Sequence, residues 1–308
     1  MALSRWTDEQ STSIDSVISH MLDFKTWHEV EKDSLTNEDL SFNIEKVFEE
    51  NKTIVLNDVE IEYNLINYEY ERVRPGASRE ESRSIRIMPI RGFVLIFSDR
   101  DKVQYITNRS GNNHTLTILR KLNNYKGKLE IQKAPFQITE DVFTWIIFRV
   151  MSNANKSLED DSHLLIRKVT GFKGSSRDRL AEITGAGNRI LNQLSTLAFL
   201  FENKRMSFIK VNTVYEDNEV EFSIDLSGNV DIEFDTYTGE HVLLKMEDEM
   251  KSCVILLVFL ELIPKIMTGY YMDKENADWS EKIKIDFFTD IGKSITEHIS
   301  KKIEKNDL

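Results

Sequence analysis

The clearest indication of the fold is the stretch Thr53-Ile-Val-Leu-Asn-Asp-Val-Glu-Ile-Glu-Tyr-Asn-Leu65. After Asn57-Asp58, apolar side chains recur at every second position as far as Leu65, which is the period of a β-strand with one buried face. Asn and Asp tolerate the positive φ angles that a two-residue hairpin turn requires. The stretch therefore predicts two antiparallel strands joined at residues 57–58.

Helical patterns precede this hairpin, and more strands follow it. Thr7-Asp-Glu-Gln10 is a capping box, so it predicts a helix start ahead of an apolar stripe at Ile14–Leu22. Thr36 is expected to open a second helix that reaches Phe48. Further strands are predicted at 85–90, 93–97, 103–107 and 129–132, with a short helix at 114–122. The first part of the chain thus combines a helical N-terminus with a mainly antiparallel sheet.

The second part is separated from the first by a polar, acidic segment at 153–161, which predicts two domains, 1–152 and 162–308. The first domain is expected to end in an apolar helix that begins after Thr139. The elements predicted for the second domain are a strand at 163–169, a loop leading to a helix at 188–202, a β-meander at 207–214, 219–226 and 229–234, and C-terminal helices at 247–263 (interrupted by Pro264) and 288–303. Because strands and helices run in separate clusters, the predicted class is α+β.

The composition of the 308 residues is that of an ordinary soluble globular protein, with 40% hydrophobic and 30% charged residues. The N-terminus lacks the apolar core of a secretory signal. Its single cysteine, Cys253, excludes an internal disulfide framework and suits a reducing compartment. The apolar run 253–263 contains Glu261 and is shorter than the roughly 20 residues that span a bilayer. We therefore expect a cytoplasmic protein without membrane insertion.

Charge is segregated along the chain. Residues 1–71 hold 5 Lys and Arg against 17 Asp and Glu, whereas residues 72–128 hold 13 against 4. Residues 129–308 are acidic again, with 22 against 31. A basic block in an acidic protein calls for a partner of opposite sign, which can be the acidic flanks, another subunit or a polyanion such as nucleic acid.

The basic block supplies the first candidate binding residues, and they are all arginines, whose planar fork suits phosphate recognition. They are Arg72, Arg74, Arg79, Arg83, Arg86 and Arg91. Arg86 alternates with Ile85 and Ile87, so it is expected to project to the solvent side of a strand. Pairing with the acidic N-terminal segment, polyanion binding and a subunit interface all remain open explanations of the block.

A second basic segment precedes the predicted helix at 188–202. Its candidate anion-binding residues are Lys173, Arg177, Arg179 and Arg189. Small residues at Gly185-Ala-Gly187 would let an anion approach backbone amides at a helix start. The segment lacks the third glycine of a dinucleotide fingerprint and the Gly-Lys-Ser/Thr ending of a P-loop, so nucleotide hydrolysis is not implied.

Catalytic chemistry has little support in the sequence. Asp231, Glu233 and Asp235 are expected to share one strand face near Asp225, an arrangement that would suit a metal-dependent nuclease but is also that of an ordinary amphipathic strand. The six histidines are scattered and no Gly-x-Ser-x-Gly elbow occurs. We predict no catalytic residue, no metal site and no cofactor.

The sequence resembles no family closely enough to name one. The leading hypothesis is a non-catalytic adaptor or sensor subunit of a bacterial multiprotein assembly that binds nucleic acid or an acidic partner. A richness in Lys, Asn and Ile indicates a low-GC or horizontally acquired bacterial locus, a profile that accessory proteins of phage-defence or mobile-element systems often share, and it suggests an antiviral setting. The alternatives are a protein-interaction scaffold whose basic block is neutralised internally and a metal-dependent nuclease. The apolar helix at 250–263 further suggests a homo-oligomer or a protein partner.

Overall fold

The computed structural model describes residues 2–99, 102–127, 129–153, 157–158, 163–175, 182–186, 198, 205–244 and 246–304. The protein has an α+β fold and divides into two compact units, Met1–Phe136 and Gln137–Leu308. The helix that begins at Glu140 packs on strands of the second unit, although the domain 1–152 expected from the acidic segment at 153–161 would include it.

Among its described residues, the first unit contains a seven-stranded sheet and four helices. Its strands are β1 Ser4–Asp8, β2 Phe42–Lys46, β3 Lys52–Leu56, β4 Val59–Val73, β5 Ile87–Asp99, β6 Lys102–Thr107 and β7 Ile131–Lys133. Its helices are α1 Ile14–Leu22, α2 Phe24–Trp27, α3 Arg83–Arg86 and α4 Asn113–Leu122. All pairings are antiparallel in the order β2-β4-β5-β6-β1-β7, with β3 also paired to β4.

The predicted hairpin at 57–58 is confirmed. Strands β3 and β4 pair from Lys52↔Tyr63 to Leu56↔Val59. Asn57 and Asp58 have φ angles of 49° and 59°, the left-handed conformation of a two-residue turn whose twist matches that of the flanking strands. The hairpin sets the register of β4, the long strand on which the rest of the sheet is assembled.

Two predicted helix starts near the N-terminus are wrong. The segment around Thr7 is strand β1, because it pairs with β6 and β7, and Asp8 accepts hydrogen bonds from the amides of Gln10 and Ser11 instead of opening a helix. Helix α1 begins only at Ile14, where Ser13 is the N-cap. The helix expected from Thr36 is replaced by a loop and strand β2, whose edge pairing to β4 overrides the local helical signal.

The core of the first unit lies between one face of the sheet and helices α1 and α4. The buried residues that form it include Trp6, Ile18, Ile66, Tyr105 and Leu119. The amphipathic patterns at 14–22 and 114–122 correctly predicted these two helices, since their apolar faces are the ones buried. Basic residues of the candidate binding site lie near the end of β4 (Arg72), in β5 (Arg91) and just before the start of α4 (Arg109).

The second unit contains a five-stranded antiparallel sheet in the order β12-β11-β10-β8-β9. Its strands are β8 Leu164–Ser175, β9 Glu182–Ala186, β10 Arg205–Tyr215, β11 Asn218–Asp225 and β12 Val230–Ile232. The predicted meander is confirmed as β10-β11-β12, with Glu216 and Gly228 at positive φ in its two turns. Helix α5, Glu140–Asn153, packs on β8 and β10.

The C-terminal helices are longer than the sequence indicates. Helix α6, Glu247–Leu257, continues through a π-helical turn at Val258–Leu262 into α7, Ile263–Glu275. Pro264 lies at the start of α7, directly after the π-helical turn, and the helix continues through it, so Pro264 does not end the helix as predicted. Helix α8, Glu281–Glu304, starts well before residue 288, because Ser280 caps it.

The segment Glu247–Glu275 is also long and apolar enough to cross a membrane. It is the one such helix among the described residues, and 72% of its most apolar window is buried within the protein. That burial is typical of the core helix of a globular domain.

Candidate anion-binding site

Arg86 lies in the interior of the first unit. Its Nε and Nη2 donate to the Asp33 carboxylate at 2.8 and 2.6 Å, and its Nη1 donates to the backbone oxygens of Glu80 and Glu81. The two side chains are 1% and 0% exposed. The hydrogen bonds from Arg86 hold the pKa of the Asp33 carboxyl well below its usual range. The prediction of a solvent-facing Arg86 is wrong, because residue 86 ends the short helix α3 and does not alternate within a strand.

Other cations of the block form ion pairs at the surface. Arg83 Nη2 lies 2.9 Å from Glu71, and this hydrogen bond lowers the pKa of the Glu71 carboxyl. Arg91 Nη2 lies 2.7 Å from Glu69. Two lysines behave likewise, in the pairs Lys102–Glu9 at 3.0 Å and Lys121–Glu31 at 2.6 Å. Every one of these carboxylates belongs to residues 1–71, so the acidic segment neutralises part of the basic block.

Three predicted site residues are left without a carboxylate partner among the described residues. Arg74 and Arg79 are exposed in the loop between β4 and α3. Arg72, near the end of β4, is half-buried, and its Nε is buried without a hydrogen-bond acceptor. These residues are the ones through which the block can still meet an external anion.

Arg109 is not among the residues predicted from the sequence to bind an anion. Arg109 Nε donates to the Tyr68 hydroxyl at 2.8 Å, and its Nη2 donates to the backbone oxygen of Arg91 at 2.6 Å. Gly92 makes this possible, since a Cβ there would lie 2.5 Å from the Tyr68 hydroxyl. A glycine between two strand-forming residues was a readable signal of such a close approach.

Arg109 borders a cavity at the start of α4. The cavity has a volume of about 310 Å³ and is lined by Ala2, Asn108, Arg109, Ser110, Asn112, His114 and Thr115. Burial lowers the pKa of His114, and the positive charges of Arg72 and Arg109 lower it further. Arg109 and His114 therefore line the same cavity, and the charge of Arg72, at the end of β4, also acts on the imidazole of His114.

The second basic segment has a different structure from the predicted one. Residues Glu182–Ala186 form β9, which pairs antiparallel with β8, so Gly185 lies in a strand opposite Phe172 and not in a loop before a helix. Lys173 lies half-buried in β8. Arg177, Arg179 and Arg189, and all but Ala198 of the helix expected at 188–202, lie outside the described residues.

The carboxylates considered for a metal site do not converge. Strand β12 ends at Ile232, so Asp231 and Glu233 do not share a continuous strand face with Asp235. Glu233 pairs with Lys210 at 2.7 Å, and Asp225 accepts hydrogen bonds from Ser227 and Asn229 in a turn. In the part of the chain that the structure describes, no three His, Cys, Asp or Glu residues are placed to hold a metal ion.

Comparison with known proteins adds no functional information. No protein-family model matches the chain, and no curated protein matches it in sequence.

Proposed function

We propose that this protein is a non-catalytic adaptor or sensor subunit whose first unit binds an anionic partner, with the phosphate backbone of nucleic acid as the primary candidate. The proposal keeps the cytoplasmic, bacterial and antiviral setting that the composition suggests. It assigns binding to the cations that remain unpaired and leaves Arg83, Arg86 and Arg91 a structural role.

The observation that carries the proposal is the division of the basic block into paired and unpaired cations. Arg72, Arg74, Arg79 and Arg109 have no carboxylate partner among the described residues, although acidic side chains neutralise their neighbours in the same block. Arginine is suited to phosphate because it donates two parallel hydrogen bonds to one oxyanion. A local positive surface can bind nucleic acid in spite of the net charge of −12, since charges beyond a Debye length are screened.

A second candidate function is a protein-interaction scaffold. The pairing of Arg83, Arg91, Lys102 and Lys121 with acidic residues of the same unit supports it, because it shows that much of the basic charge serves the fold. Such a protein would bind its neighbour at high salt and would not need an anion.

The experiment is DNA binding by the whole protein over a series of salt concentrations. The variant Arg72→Gln/Arg74→Gln/Arg79→Gln removes unpaired cations, and the control Arg83→Gln/Arg91→Gln/Lys102→Gln removes the same number of charges from ion pairs. We expect the first to reduce the slope of log K against log salt by roughly two to three, at about 0.9 per phosphate contact on duplex DNA, and the control to change it little.

Wild-type protein that fails to bind DNA at low salt would contradict the nucleic-acid proposal. Equal losses in the two triple variants would also contradict it, because the effect would then depend on overall charge and not on the unpaired residues. In either case, capture of a partner that persists at high salt would support the scaffold.

A further inference from the structure

We infer that the cavity bordered by the ends of α2 and α4 binds one nucleotide of a single-stranded nucleic acid. The base would contact the aromatic rings that line the cavity, and the phosphate would meet Arg120 and Lys126. The inference deepens the proposed function, because it names the class of nucleic acid, and it rests on that function for the partner.

The cavity brings together two segments of the first unit that lie far apart in the sequence. Its volume is about 270 Å³, close to the roughly 300 Å³ at which the ligand pockets of proteins begin. Trp27 and His28, at the end of α2, supply two half-buried rings, and Tyr125, just after α4, supplies a third. Rings gathered at one opening give the flat apolar surface on which a base can lie.

Two of these rings are held in place before any ligand arrives. The Nε1 of Trp27 donates to the backbone oxygen of His20 at 2.8 Å. The hydroxyl of Tyr125 donates to the buried carboxylate of Asp8 at 2.9 Å. The polar groups of both side chains are thus used within the protein, and the rings are what they offer to a ligand. Side chains that are already ordered lose little entropy on binding, so such contacts contribute most of their energy to affinity.

The charges around the cavity favour an anion. Its lining contains Arg120, Lys121 and Lys126 against Glu29 and Glu31, three positive charges against two negative ones. Lys121 is neutralised by Glu31 at 2.6 Å. Arg120 and Lys126 have no carboxylate partner among the described residues, and the Nη2 of Arg120 donates to the backbone oxygen of Lys126 at 2.6 Å. These two cations therefore lie side by side and are available to one phosphate group.

A single strand is the polyanion that uses the whole lining. An anion without a ring would use the two cations and leave the aromatic side chains unused. In a duplex the faces of the bases are stacked on one another, whereas a single strand exposes its bases and its phosphates together. Aromatic side chains beside cations are the combination with which proteins bind single strands.

Tryptophan fluorescence provides the test, because Trp27 is half-buried whereas Trp6, Trp145 and Trp279 are buried. A thymidine oligonucleotide of about eight nucleotides, within the usual site size of single-strand-binding proteins, is added to the intact protein. We expect it to quench the fluorescence saturably. A duplex of the same length and a strand of abasic sugar phosphates should not quench it.

Variants then assign the binding, measured by the fluorescence anisotropy of a labelled oligonucleotide. Trp27→Leu keeps an apolar side chain but removes the ring, and it should weaken binding at least about fivefold. Arg120→Gln/Lys126→Gln should also weaken binding. The control Lys301→Gln/Lys302→Gln removes the same charge from the exposed end of α8 and should change the affinity little.

The inference is overturned if the oligonucleotide fails to quench the wild-type protein, or if the abasic strand binds and quenches equally well. It is also overturned if Trp27→Leu and Arg120→Gln/Lys126→Gln both bind as tightly as the wild type while remaining folded by circular dichroism. Because the two variants change different parts of the lining, misfolding of one leaves the other as the test.

The variant Arg72→Gln/Arg74→Gln/Arg79→Gln separates this inference from the proposed function. If this variant loses duplex binding while the single strand fails to quench the wild-type protein, the nucleotide site is refuted and the proposed function stands. If the single strand quenches the wild type and this variant alike, and duplex DNA binds neither, the nucleotide site stands. That result would refute the assignment of binding to these three arginines.

Discussion

At the scale of single residues, the role of each arginine in the basic block depends on whether a carboxylate lies within reach of it. Arg86 is enclosed by Asp33 and two backbone oxygens, Arg83 meets Glu71 at the surface, and Arg72 meets no carboxylate among the described residues. The three lie within fifteen positions of one another and have the same chemistry. Residue type therefore indicates what each arginine can bind, and its surroundings decide whether that capacity is already used.

The buried pair gives a stability prediction. Asp33→Asn should lower the urea midpoint of unfolding clearly, because it leaves the Arg86 guanidinium buried without a counter-charge and weakens the hydrogen bonds that hold the loop at 33–36. The matched change Glu71→Gln, at a partly exposed pair, should have a much smaller effect. Similar shifts in the two variants would show that burial does not distinguish these ion pairs.

At the scale of elements, local pattern and tertiary pairing compete. Helices α1 and α4 and the hairpin β3–β4 follow their local signals, since their apolar periods match the faces that are buried. The segments at Thr7 and Thr36 have helical caps in sequence, but Thr7 lies within β1 and Thr36 lies in the loop before β2, and both strands gain the backbone hydrogen bonds of the sheet. A cap contributes only about 1 kcal/mol, which is less than a strand gains from several ladder bonds and a buried face.

The hairpin turn offers a test at this scale. Asp58→Val should lower the free energy of unfolding by about 1–2 kcal/mol, because a β-branched residue is strained at the φ angle of 59° found there. Asp58→Gly should not destabilise the protein, since glycine adopts this conformation freely. Urea unfolding of both variants provides the measurement, and equal losses would mean that the side chain of Asp58 matters more than the backbone conformation.

At the scale of the whole molecule, the segregation of charge along the chain is partly reversed by folding. The acidic residues 1–71 and the basic residues 72–128 belong to the same unit and pair across it. The sequence suggests a large basic surface. In the folded unit, ion pairs reduce it to a smaller set of cations without a carboxylate partner among the described residues. This is the reason that the binding proposal concentrates on the ends of β4 and α4.

The response to acid should involve both units. Burial lowers the pKa of His28 and of His241 in the folded protein. As the pH falls through the pKa that a histidine has in the unfolded chain, the unfolded chain therefore binds protons more readily than the folded protein. Stability is therefore expected to decrease from pH 7 to pH 5. His241→Gln should flatten this decrease in urea unfolding of the second unit. A pH dependence identical to that of the wild type would show that protonation of His241 is not linked to unfolding.

The amino-acid sequence by itself determined the α+β class, the hairpin at 57–58, the meander of the second unit and the helices at 14–22 and 114–122. These features follow from periodicity and turn chemistry over a few neighbouring residues. It also identified arginine as the chemistry of the candidate site.

Only the tertiary structure decided which arginines are free. Arg86 and Asp33 are 53 positions apart, and Arg109 and Tyr68 are 41 apart. Whether such residues meet depends on strand register and on how a loop closes over a sheet. The pattern of neighbouring residues in the sequence determines neither of these.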